Sequence, residues 1–147
     1  MRAAYREIVA NAAHYDARAR IEGVIVQCMV AGDVELVIGL KNDDVFGVVI
    51  MVGLGGLHIE VLKDVAFRKG PVTENEAGRM LDELRGRAIL HGVRGKPPVN
   101  RAALTRLVSD VSRFGAAAGQ RLKEADLNPV IAGPDGATAV DWLVMMR

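Results

Sequence analysis

The sequence has little cysteine, no bias in charge and no long apolar run. Its 147 residues contain one cysteine, Cys28, which excludes an internal disulfide and favours a reducing cytoplasmic compartment. With 19 basic and 18 acidic residues, the formal net charge of +1 offers no attraction for nucleic acid or an anionic membrane. The longest uncharged stretch, "VFGVVIMVGLGGLHI", is shorter than the ~18 to 20 residues of a membrane span. We therefore expect a soluble, cytoplasmic protein with no nucleic-acid or membrane partner.

The length and composition suit one folded unit. Hydrophobic residues make up 50% of the chain, enough for a compact domain with a core, whereas 147 residues are too few for two full domains. The N-terminal segment "MRAAYREIVANAAHYDARAR" carries charges throughout and has no apolar run followed by a cleavage site, so we expect no export signal. The chain is expected to be one domain or one lobe of a larger one.

The first 30 residues contain two contrasting patterns. Residues 1 to 16 carry apolar side chains at helical spacing without glycine or proline, which predicts a helix with one apolar side. The next run, "IEGVIVQCMV", is short and rich in β-branched residues, which predicts a strand covered on both faces. In that strand Cys28 is expected to be a small buried hydrophobe.

A hairpin is expected next. In "VELVIGLK", Leu36, Ile38 and Leu40 alternate with Glu35 and Lys41, so one face of this strand is expected to be buried and the other polar. The "NDD" that follows is typical of a turn, and "VFGVVIMV" is the expected antiparallel partner. The segment "LHIEVLKDVAF", after "GLGG", is expected to continue in extended form.

The second half of the chain predicts helices followed by strands. Thr73 and Glu76 have the spacing of a capping box at the start of one helix, and Asn100 is a suitable cap for a second helix after a loop. The chain closes with "DLNPVIAGPDGATAVDWLV", two strand-like runs around a turn. Strands, then helices, then strands indicate an α+β fold.

The last hairpin brings polar side chains together. If Pro134 and Asp135 form a two-residue turn, counting outward from the turn places Asn128 opposite Asp141. Asp126 then lies on the same face, one diagonal step away. Two carboxylates and an amide oxygen form an all-oxygen set of the kind that binds Mg²⁺ together with substrate phosphates and water. This spacing predicts a magnesium site.

Two alternatives remain open at this stage. Because Pro129 cannot donate to a strand ladder, it indicates an edge strand or a bulge, and a one-residue bulge would change the register. The polar residues also have an ordinary structural explanation, in which Asp126 caps the start of the strand, Asn128 forms a local turn bond and Asp141 is solvated.

Several motifs in order resemble a known family. The segments "GVIVQCMVAGDVELVIGLKND", "FGVVIMVGLGGLHIEVLKDVAFR", "ILHGVRGKPPV", "DLNPV" and "AVDWL" are similar to the ATP-grasp domain of NDP-forming acyl-CoA synthetases, the acetate–CoA ligase (ADP-forming) group. The β subunit of succinyl-CoA synthetase is a more distant resemblance. The likeness covers nearly the whole chain. It implies a partial ATP-grasp domain over residues 1 to 147, in which residues 1 to 20 end the first lobe and residues 21 to 147 form the second nucleotide-binding lobe.

The resemblance also implies roles for individual residues. Asn128 and Asp141 correspond to magnesium ligands, and Asp126 corresponds to a ligand or a neighbour of the ligands. The implied fold of the lobe is a largely antiparallel sheet with helices packed on one face. The implied cofactors are Mg²⁺ and ATP or ADP.

Four further residues are implied to bind the nucleotide. The main chain around Gln27 and Met29 corresponds to the segment that hydrogen-bonds the adenine, and Glu35 corresponds to an acid that faces the nucleotide. Arg68 corresponds to an arginine that neutralises phosphate charge, and "GLGG" to a glycine-rich segment near the phosphates. Alternation along the strand equally predicts an exposed acid at Glu35, an exposed arginine remains open for Arg68, and "GLGG" also suits a turn that ends a strand.

The chain also departs from the family. "NDDVFGVV" lacks two prolines that are common there, these residues are expected to contain only the end of the first lobe and no CoA-binding domain, and His58 receives no catalytic role. The implied function is the nucleotide- and magnesium-binding part of a synthetase that interconverts acyl-CoA, ADP and phosphate with acid, CoA and ATP. A non-catalytic binding module or an inactive fragment are the alternatives. Expected partners are the nucleotide, the remaining synthetase domains or subunit, and further copies of this chain through self-association.

Overall fold

A computed structural model describes residues 1 to 56, 63 to 93 and 95 to 147. In these ranges the protein is α+β, with a six-stranded antiparallel sheet and two helices packed on one of its faces. Helices α1, α2 and α3 span Arg2–Tyr15, Glu74–Glu83 and Arg101–Ala118. Strands β1 to β6 span Val34–Asp43, Gly47–Leu54, Val65–Lys69, Leu122–Gly133, Gly136–Ala139 and Trp142–Met146. No helix in the described ranges has the length and apolar character that crossing a bilayer requires.

The sheet is centred on β1 and β4. Its order is β3-β2-β1-β4, and the long strand β4 pairs with β5 along its C-terminal part and with β6 along its N-terminal part. The predicted hairpin is confirmed, because β1 and β2 pair in antiparallel orientation. In the turn between them, the carboxylate of Asp43 accepts hydrogen bonds from the N–H groups of Val45 and Phe46 at 2.9 and 3.0 Å. This Asx-type turn sets the register of the hairpin.

Alternate residues of the central strands point to opposite faces of the sheet. Leu36, Ile38 and Leu40 are buried under α2 and α3 on what we call the covered face, and Glu35 and Lys41 lie on the opposite, open face. This confirms the predicted alternation. Burying one large aliphatic side chain stabilises a fold by roughly 1.5 to 3 kcal/mol, so the covered face holds the sheet and helices together. The largest fully buried side chains include Leu36, Ile38, Ile50, Leu54, Met80, Leu81, Leu84, Leu104 and Leu122.

The two helices that cover the sheet begin at the predicted caps. The Thr73 hydroxyl accepts a hydrogen bond from the N–H of Glu76 at 3.2 Å, and the Asn100 side chain accepts one from the N–H of Ala103 at 3.0 Å. Each cap satisfies an N–H group that has no partner within its helix, which is worth roughly 0.5 to 2 kcal/mol. Local sequence therefore determines where α2 and α3 start.

The strand predicted over residues 21 to 30 does not form, and this prediction was wrong. These residues have no regular secondary structure, and Cys28 is exposed instead of buried. Ile25, Val26 and Met29 are 83%, 72% and 96% exposed. A β-branched run becomes a strand only where it pairs with a neighbouring strand, and residues 21 to 30 pair with no strand that the structure describes. Residues 16 to 33 form a connector instead.

Two other predicted segments, the N-terminal helix and the extended segment after "GLGG", are confirmed to different extents. The N-terminal helix is confirmed as α1, although none of its side chains is buried. Of the extended segment predicted after "GLGG", β3 forms the C-terminal part. Residues 57 to 62, which include His58, lie outside the described residues.

Candidate functional site

The last hairpin has the predicted register. Gly133 faces Gly136 across the two-residue turn, and the same offset continues past β5, where Leu127 faces the first residue of β6. Between them, the N–H of Asn128 donates to the carbonyl of Asp141 at 3.2 Å. Asn128 and Asp141 therefore lie opposite each other on adjacent antiparallel segments.

A bulge lies on the other side of β4. Against β1 the pairing shifts by one residue between Leu36 and Ile38, so that Val37 alone faces Asn128 and Pro129. An extra residue on one strand is the definition of a β-bulge, and Pro129 indicated one here. The bulge changes the register of β4 against β1 but not against β5 and β6. The alignment of Asn128 with Asp141 is therefore unaffected.

The bulge also decides which side chains reach the open face. Asp126 pairs with Gly39 and lies on the open face. Val130, four residues later, would share that face in a regular strand, yet it is fully buried on the covered face. The extra residue reverses the alternation, so that Asp126 lies on the open face while Val130, an even number of residues later, lies in the core.

We call Asp126, Asn128 and Asp141 the acidic site. Burial, followed by the negative charges of Asp141 and Glu124, raises the pKa of Asp126 above its ordinary value. None of these carboxylates forms an ion pair with a residue that the structure describes. Oδ1 of Asp141 accepts a hydrogen bond from the N–H of Trp142 at 2.8 Å. The site therefore carries negative charge that no protein cation compensates in the described ranges.

The donor set of the acidic site fits a hard cation that brings its own oxygen ligands. Among the described residues, no group of three or more His, Cys, Asp or Glu side chains is placed to hold a metal ion. Two carboxylates and an amide oxygen are instead a partial set, which Mg²⁺ accepts when substrate phosphates and water complete its octahedron. A bound cation would also remove the repulsion between Asp126 and Asp141. The residues present suit a magnesium–phosphate complex.

Glu35 lies further along the open face, beside the glycine-rich segment. A side chain at Gly56, which has a φ of +62°, would come within 3.0 Å of a Glu35 carboxylate oxygen. Asp33, Glu35, Gly55 and Gly56 line a cavity of about 270 Å³. The structure therefore brings Glu35 and "GLGG" together, on the same face as the acidic site.

The connector ends beside β4, next to this cavity. The N–H of Asp33 donates to the carbonyl of Ala132 at 3.2 Å. At Gly32 a Cβ atom would lie 2.4 Å from the Ile131 side chain, so a residue without a side chain is required for this close approach. Earlier in the connector, Gln27 and Met29 are exposed, and Gln27 lines a groove of about 780 Å³ shared with α1.

Arg68 lies on the covered face, away from the acidic site. It pairs across the strands with the buried Ile50. Its guanidinium forms ion pairs with Glu76, at 2.7 Å, and with Glu83, both on α2. Hydrogen bonds to Glu83 and Glu76 raise the pKa of Arg68. The structure therefore gives Arg68 partners on α2 and does not bring it together with Asp126, Asn128 and Asp141.

The open face also carries an apolar groove that the sequence analysis did not identify. Gly39, Met51 and Phe67 face one another across β1, β2 and β3, and with Phe46 and Val49 they line a groove of about 360 Å³. We call this the aromatic groove. Phe46 and Phe67 are 62% and 55% exposed. Glycine inside a strand often marks a close approach by a ligand or another chain. Gly39, inside β1, was therefore the sequence signal from which this groove could have been predicted.

Comparison with known proteins identifies the family to which this fold belongs. The family model for the ATP-grasp domain matches residues 1 to 146, and the chain belongs to that family.

Several of its relatives are ADP-forming CoA ligases. The chain is 43% identical to acetate–CoA ligase [ADP-forming] I of Archaeoglobus fulgidus, over 97% of this chain and 21% of the relative. It is 40% identical to the β subunit of acetate–CoA ligase [ADP-forming] I of Pyrococcus furiosus, over 95% of this chain and 60% of the relative. The chain thus spans between about a fifth and three fifths of the length of these two proteins.

Solved structures agree with this assignment. Dinucleotide-forming acetyl-coenzyme A synthetase 1 of Ca. Korarchaeum cryptofilum, in complex with coenzyme A and Ca-AMPCP, matches 99% of this chain and 63% of its own, with 40% identity and a TM-score of 0.89. Another structure of that protein contains Mg-AMPPCP, with the phosphohistidine segment pointing towards the nucleotide-binding site. It covers 81% of this chain and 55% of its own, with 39% identity and a TM-score of 0.75.

Proposed function

We propose that this chain is the second nucleotide-binding lobe of an NDP-forming acyl-CoA synthetase and that it binds Mg²⁺ with ATP or ADP on its open face. The observation that carries the proposal is that Asn128 lies opposite Asp141 and that the charge of Asp141 raises the pKa of Asp126, with no ion-pair partner for either carboxylate in the described ranges. Membership of the ATP-grasp family and relatives that are ADP-forming CoA ligases support it.

Three residues of the proposed site would bind the metal. Asn128 and Asp141 would hold Mg²⁺, and Asp126 would be a further ligand or a neighbour that adds negative charge. When bound, Mg²⁺ neutralises the charge of the phosphates. Phosphoryl transfer depends mainly on such positioning and charge neutralisation, so carboxylates held on paired strands are the contribution expected from this lobe.

The base end of the nucleotide would lie towards the connector. Main-chain groups around Gln27 and Met29 would hydrogen-bond the adenine, and Glu35 would face the nucleotide from β1. The support is positional, because the connector lies against β4 where β1 begins and Glu35 lines the cavity beside Gly55 and Gly56. In this arrangement the base and the phosphates would follow one another along one face of β1. Arg68 is not part of the proposed site because its guanidinium is paired on the covered face.

The whole enzyme would interconvert acyl-CoA, ADP and phosphate with a carboxylic acid, CoA and ATP, through an acyl phosphate and a phosphohistidine. The names of the relatives include acetate–CoA ligase and 4-hydroxybutyrate–CoA ligase, both ADP-forming. The remaining domains or subunit of the synthetase would supply CoA binding, the histidine and the opposite wall of the nucleotide cleft. Those parts are the partners we propose for this chain.

Exposed apolar side chains support association with such partners or with a second copy. Tyr5 and Ile8 of α1 are half exposed, and the groove between α1 and the connector is lined mainly by apolar residues. Exposed apolar patches of this kind promote association. We expect sedimentation velocity at high concentration to show species larger than a monomer. A strict monomer at every concentration would contradict this part of the proposal.

The nucleotide site can be tested by NMR, which detects weak binding to a single lobe. We expect titration of the ¹⁵N-labelled chain with Mg·AMPPCP to shift the amide signals of Glu35, Asp126, Asn128 and Asp141, and AMPPCP with EDTA to shift them much less. Shifts that do not depend on Mg²⁺, or that occur elsewhere, would contradict the proposed site. Without its partners the chain should make ATP from acetyl-CoA, ADP and phosphate well below ~1 s⁻¹, the low end of ordinary enzymes.

A further inference from the structure

Strand β6 has one edge without a partner in the described part of the chain. It pairs with β4 on one side, and no strand that the structure describes pairs with its other side, which we call the outer edge. Its sequence, "WLVMM", contains no charged residue, whereas β3, the edge strand at the opposite end of the sheet, carries Arg68 and Lys69. Charged residues on an edge strand oppose pairing with another chain, so β6 lacks a common protection against such pairing.

Two main-chain hydrogen bonds show which groups of β6 point to the outer edge. The carbonyl of Asp141 accepts from the N–H of Asn128 at 3.2 Å, just before the strand. The N–H of Arg147 donates to the carbonyl of Arg121 at 2.8 Å, just after it. In an antiparallel strand the N–H and C=O of one residue point to the same side, and successive residues alternate, so every second residue from 141 to 147 points towards β4. The main-chain groups that point to the outer edge are those of Trp142, Val144 and Met146.

The outer edge is complementary to itself. When two β6 strands are placed antiparallel and centred on Val144, Val144 faces its own copy and Trp142 faces Met146 of the second copy. The N–H of Trp142 already donates to Oδ1 of Asp141 at 2.8 Å, so the N–H groups of Val144 and Met146 are the donors that remain. They meet the carbonyls of Val144 and Trp142 of the second copy. Any other register leaves at least one of these three residues without an outward-pointing partner within the strand.

The exposed side chains of β6 match in the same register. Trp142, Leu143 and Met146 are 70%, 59% and 54% exposed. Trp142 would face Met146 of the second copy on the covered face, and Leu143 would face Met145 of the second copy on the open face. Directly opposed Cβ atoms lie about 4.5 to 5.5 Å apart, and a thioether beside an aromatic ring is a favourable contact. Pairing would therefore remove apolar side chains from water on both faces.

The same register brings opposite charges together at both ends. Arg147, one residue after β6, faces Asp141 of the second copy, one residue before β6. Within a single chain Arg147 forms an ion pair with Asp44 at 2.8 Å, but their side chains are 46% and 86% exposed. An ion pair that is this exposed is weak, so Arg147 can exchange it for another carboxylate. The second copy would thus supply a cation to the acidic site.

We propose that β6 pairs antiparallel with β6 of a second copy of this chain across a two-fold axis at Val144, and that Arg147 of each copy approaches Asp141 of the other. A two-fold contact of this kind uses the same surface on both copies and closes at a dimer. Five residues on each side are few beside the roughly 20 to 30 of a standard interface, so the dimer is weak and reversible.

The pairing has a consequence for the metal site. Mg²⁺ and Arg147 of the second copy would both require the carboxylate of Asp141, so binding of Mg·AMPPCP opposes the dimer. This consequence rests on the proposed function, which places Mg²⁺ at Asp141. The pairing of the two strands does not, because it depends only on the main chain and the side chains of β6.

Hydrogen exchange of the ¹⁵N-labelled chain tests the pairing without a mutation. We expect the amide exchange of Val144 and Met146 to slow as the protein concentration rises, because their N–H groups gain partners in the dimer. The amides of Leu143 and Met145, which point towards β4, should already exchange slowly in dilute solution. Exchange at Val144 and Met146 that does not change where sedimentation shows a dimer would overturn the proposal. So would a strict monomer at every concentration.

Matched variants separate the outer edge from the groove beside α1, which is the competing surface. Met146→Pro removes an outward N–H and keeps the bonds to β4, because proline is tolerated on an edge strand where its nitrogen faces away from the sheet. The dimer Kd should rise at least about fivefold through the loss of two symmetric hydrogen bonds. Trp142→Thr, which leaves the main chain intact, should also raise it. Ile8→Thr on α1 is the control, and a dimer that only Ile8→Thr dissociates would overturn the proposal.

A charge exchange tests the position of Arg147. Arg147→Asp places like charges opposite each other and should weaken the dimer by roughly three- to tenfold, and adding Asp141→Arg should restore its affinity. Asp44→Asn removes the partner that Arg147 has within its own chain, and this control should not weaken the dimer. A double variant that stays as weak as Arg147→Asp would overturn the placement of Arg147.

Mg·AMPPCP distinguishes this inference from the proposed function. We expect it to raise the dimer Kd several-fold and AMPPCP with EDTA to leave it unchanged. Nucleotide that binds at Asp141 without changing the dimer Kd would overturn the shared use of that carboxylate. If Mg·AMPPCP does not bind, the proposed function fails, and hydrogen exchange together with Met146→Pro still decides whether the strands pair.

Discussion

The two faces of the sheet are made by the same strands and have opposite properties. On the covered face, Leu36, Ile38 and Ile50 are fully buried under α2 and α3. On the open face the intervening residues form the acidic site and the aromatic groove. The comparison shows that strand alternation separates two tasks: one set of side chains stabilises the fold, and the other is free to bind ligands.

Charged residues follow the same division. Arg68 on the covered face is paired with Glu76 and Glu83, and the hydrogen bond from Arg68 lowers the pKa of Glu76. The pKa of Asp126 on the open face is raised, mainly by burial and then by the negative charges of Asp141 and Glu124. Charge is compensated where it supports the fold and uncompensated where a cation would bind.

The largest effect is expected from a pair of neighbours on β2 that point to opposite faces. Ile50→Ala empties a fully buried site and should lower the free energy of unfolding by ~2 to 5 kcal/mol. Met51→Ala, on the open face, should cost clearly less. Urea denaturation of both variants measures the difference. Equal losses would mean that the open face is part of the core.

The next effect concerns magnesium-dependent nucleotide binding. Asp141→Asn keeps an oxygen that accepts from the N–H of Trp142 but removes the charge, so the Kd for Mg·AMPPCP should rise by more than about tenfold, or ~1.4 kcal/mol. The free energy of unfolding should change by less than ~0.5 kcal/mol. Asp135→Asn, in the exposed turn, is the matched control and should alter neither quantity. Unchanged affinity in Asp141→Asn would remove Asp141 from the site.

A smaller effect is expected on the covered face. Arg68→Met breaks two partly exposed ion pairs and should lower the free energy of unfolding by about 1 kcal/mol, at the upper end for such pairs. Affinity for Mg·AMPPCP should not change, because the guanidinium lies on the opposite face from the acidic site. Arg79→Met, at a more exposed arginine that also pairs with Glu76, is the control for stability. A large loss of nucleotide affinity in Arg68→Met would show that Arg68 reaches the nucleotide after all.

The smallest effect is in the pH dependence of stability. Because the pKa of Asp126 is raised on folding, the folded state binds this proton more tightly, and stability falls as pH rises from the ordinary value of 3.8 through the raised pKa. Asp126→Asn removes this dependence. The variant should be more stable than the parent at pH 7, within the ~0.5 kcal/mol typical of exposed positions, and the gain should shrink towards pH 3. Urea denaturation at both pH values measures it, and a less stable variant at pH 7 would contradict the proposed repulsion.

Much of the fold was predictable because its signals are local. The alternation of Leu36, Ile38 and Leu40 determined the buried face of β1, and Thr73 and Asn100 determined where the helices begin. A two-residue turn determines every pair beyond it, so counting from the turn was enough to predict that Asn128 lies opposite Asp141. The roles assigned to these residues remain predictions.

Other features depended on which strands become neighbours, and that is decided only when the chain is folded. The β-branched run at residues 21 to 30 matched the local preference of a strand, but it pairs with no strand that the structure describes, and Cys28 is exposed. Arg68 and Phe67 are adjacent in sequence but point to opposite faces of the sheet. Because α2 packs on only one of these faces, Arg68 forms ion pairs with α2 while Phe67 lines the aromatic groove. By itself the sequence determined the periods, caps and turns, because these depend on residues close along the chain. The tertiary structure decided the connector, the partners of Arg68 and the aromatic groove, because these depend on packing between segments that are distant in sequence.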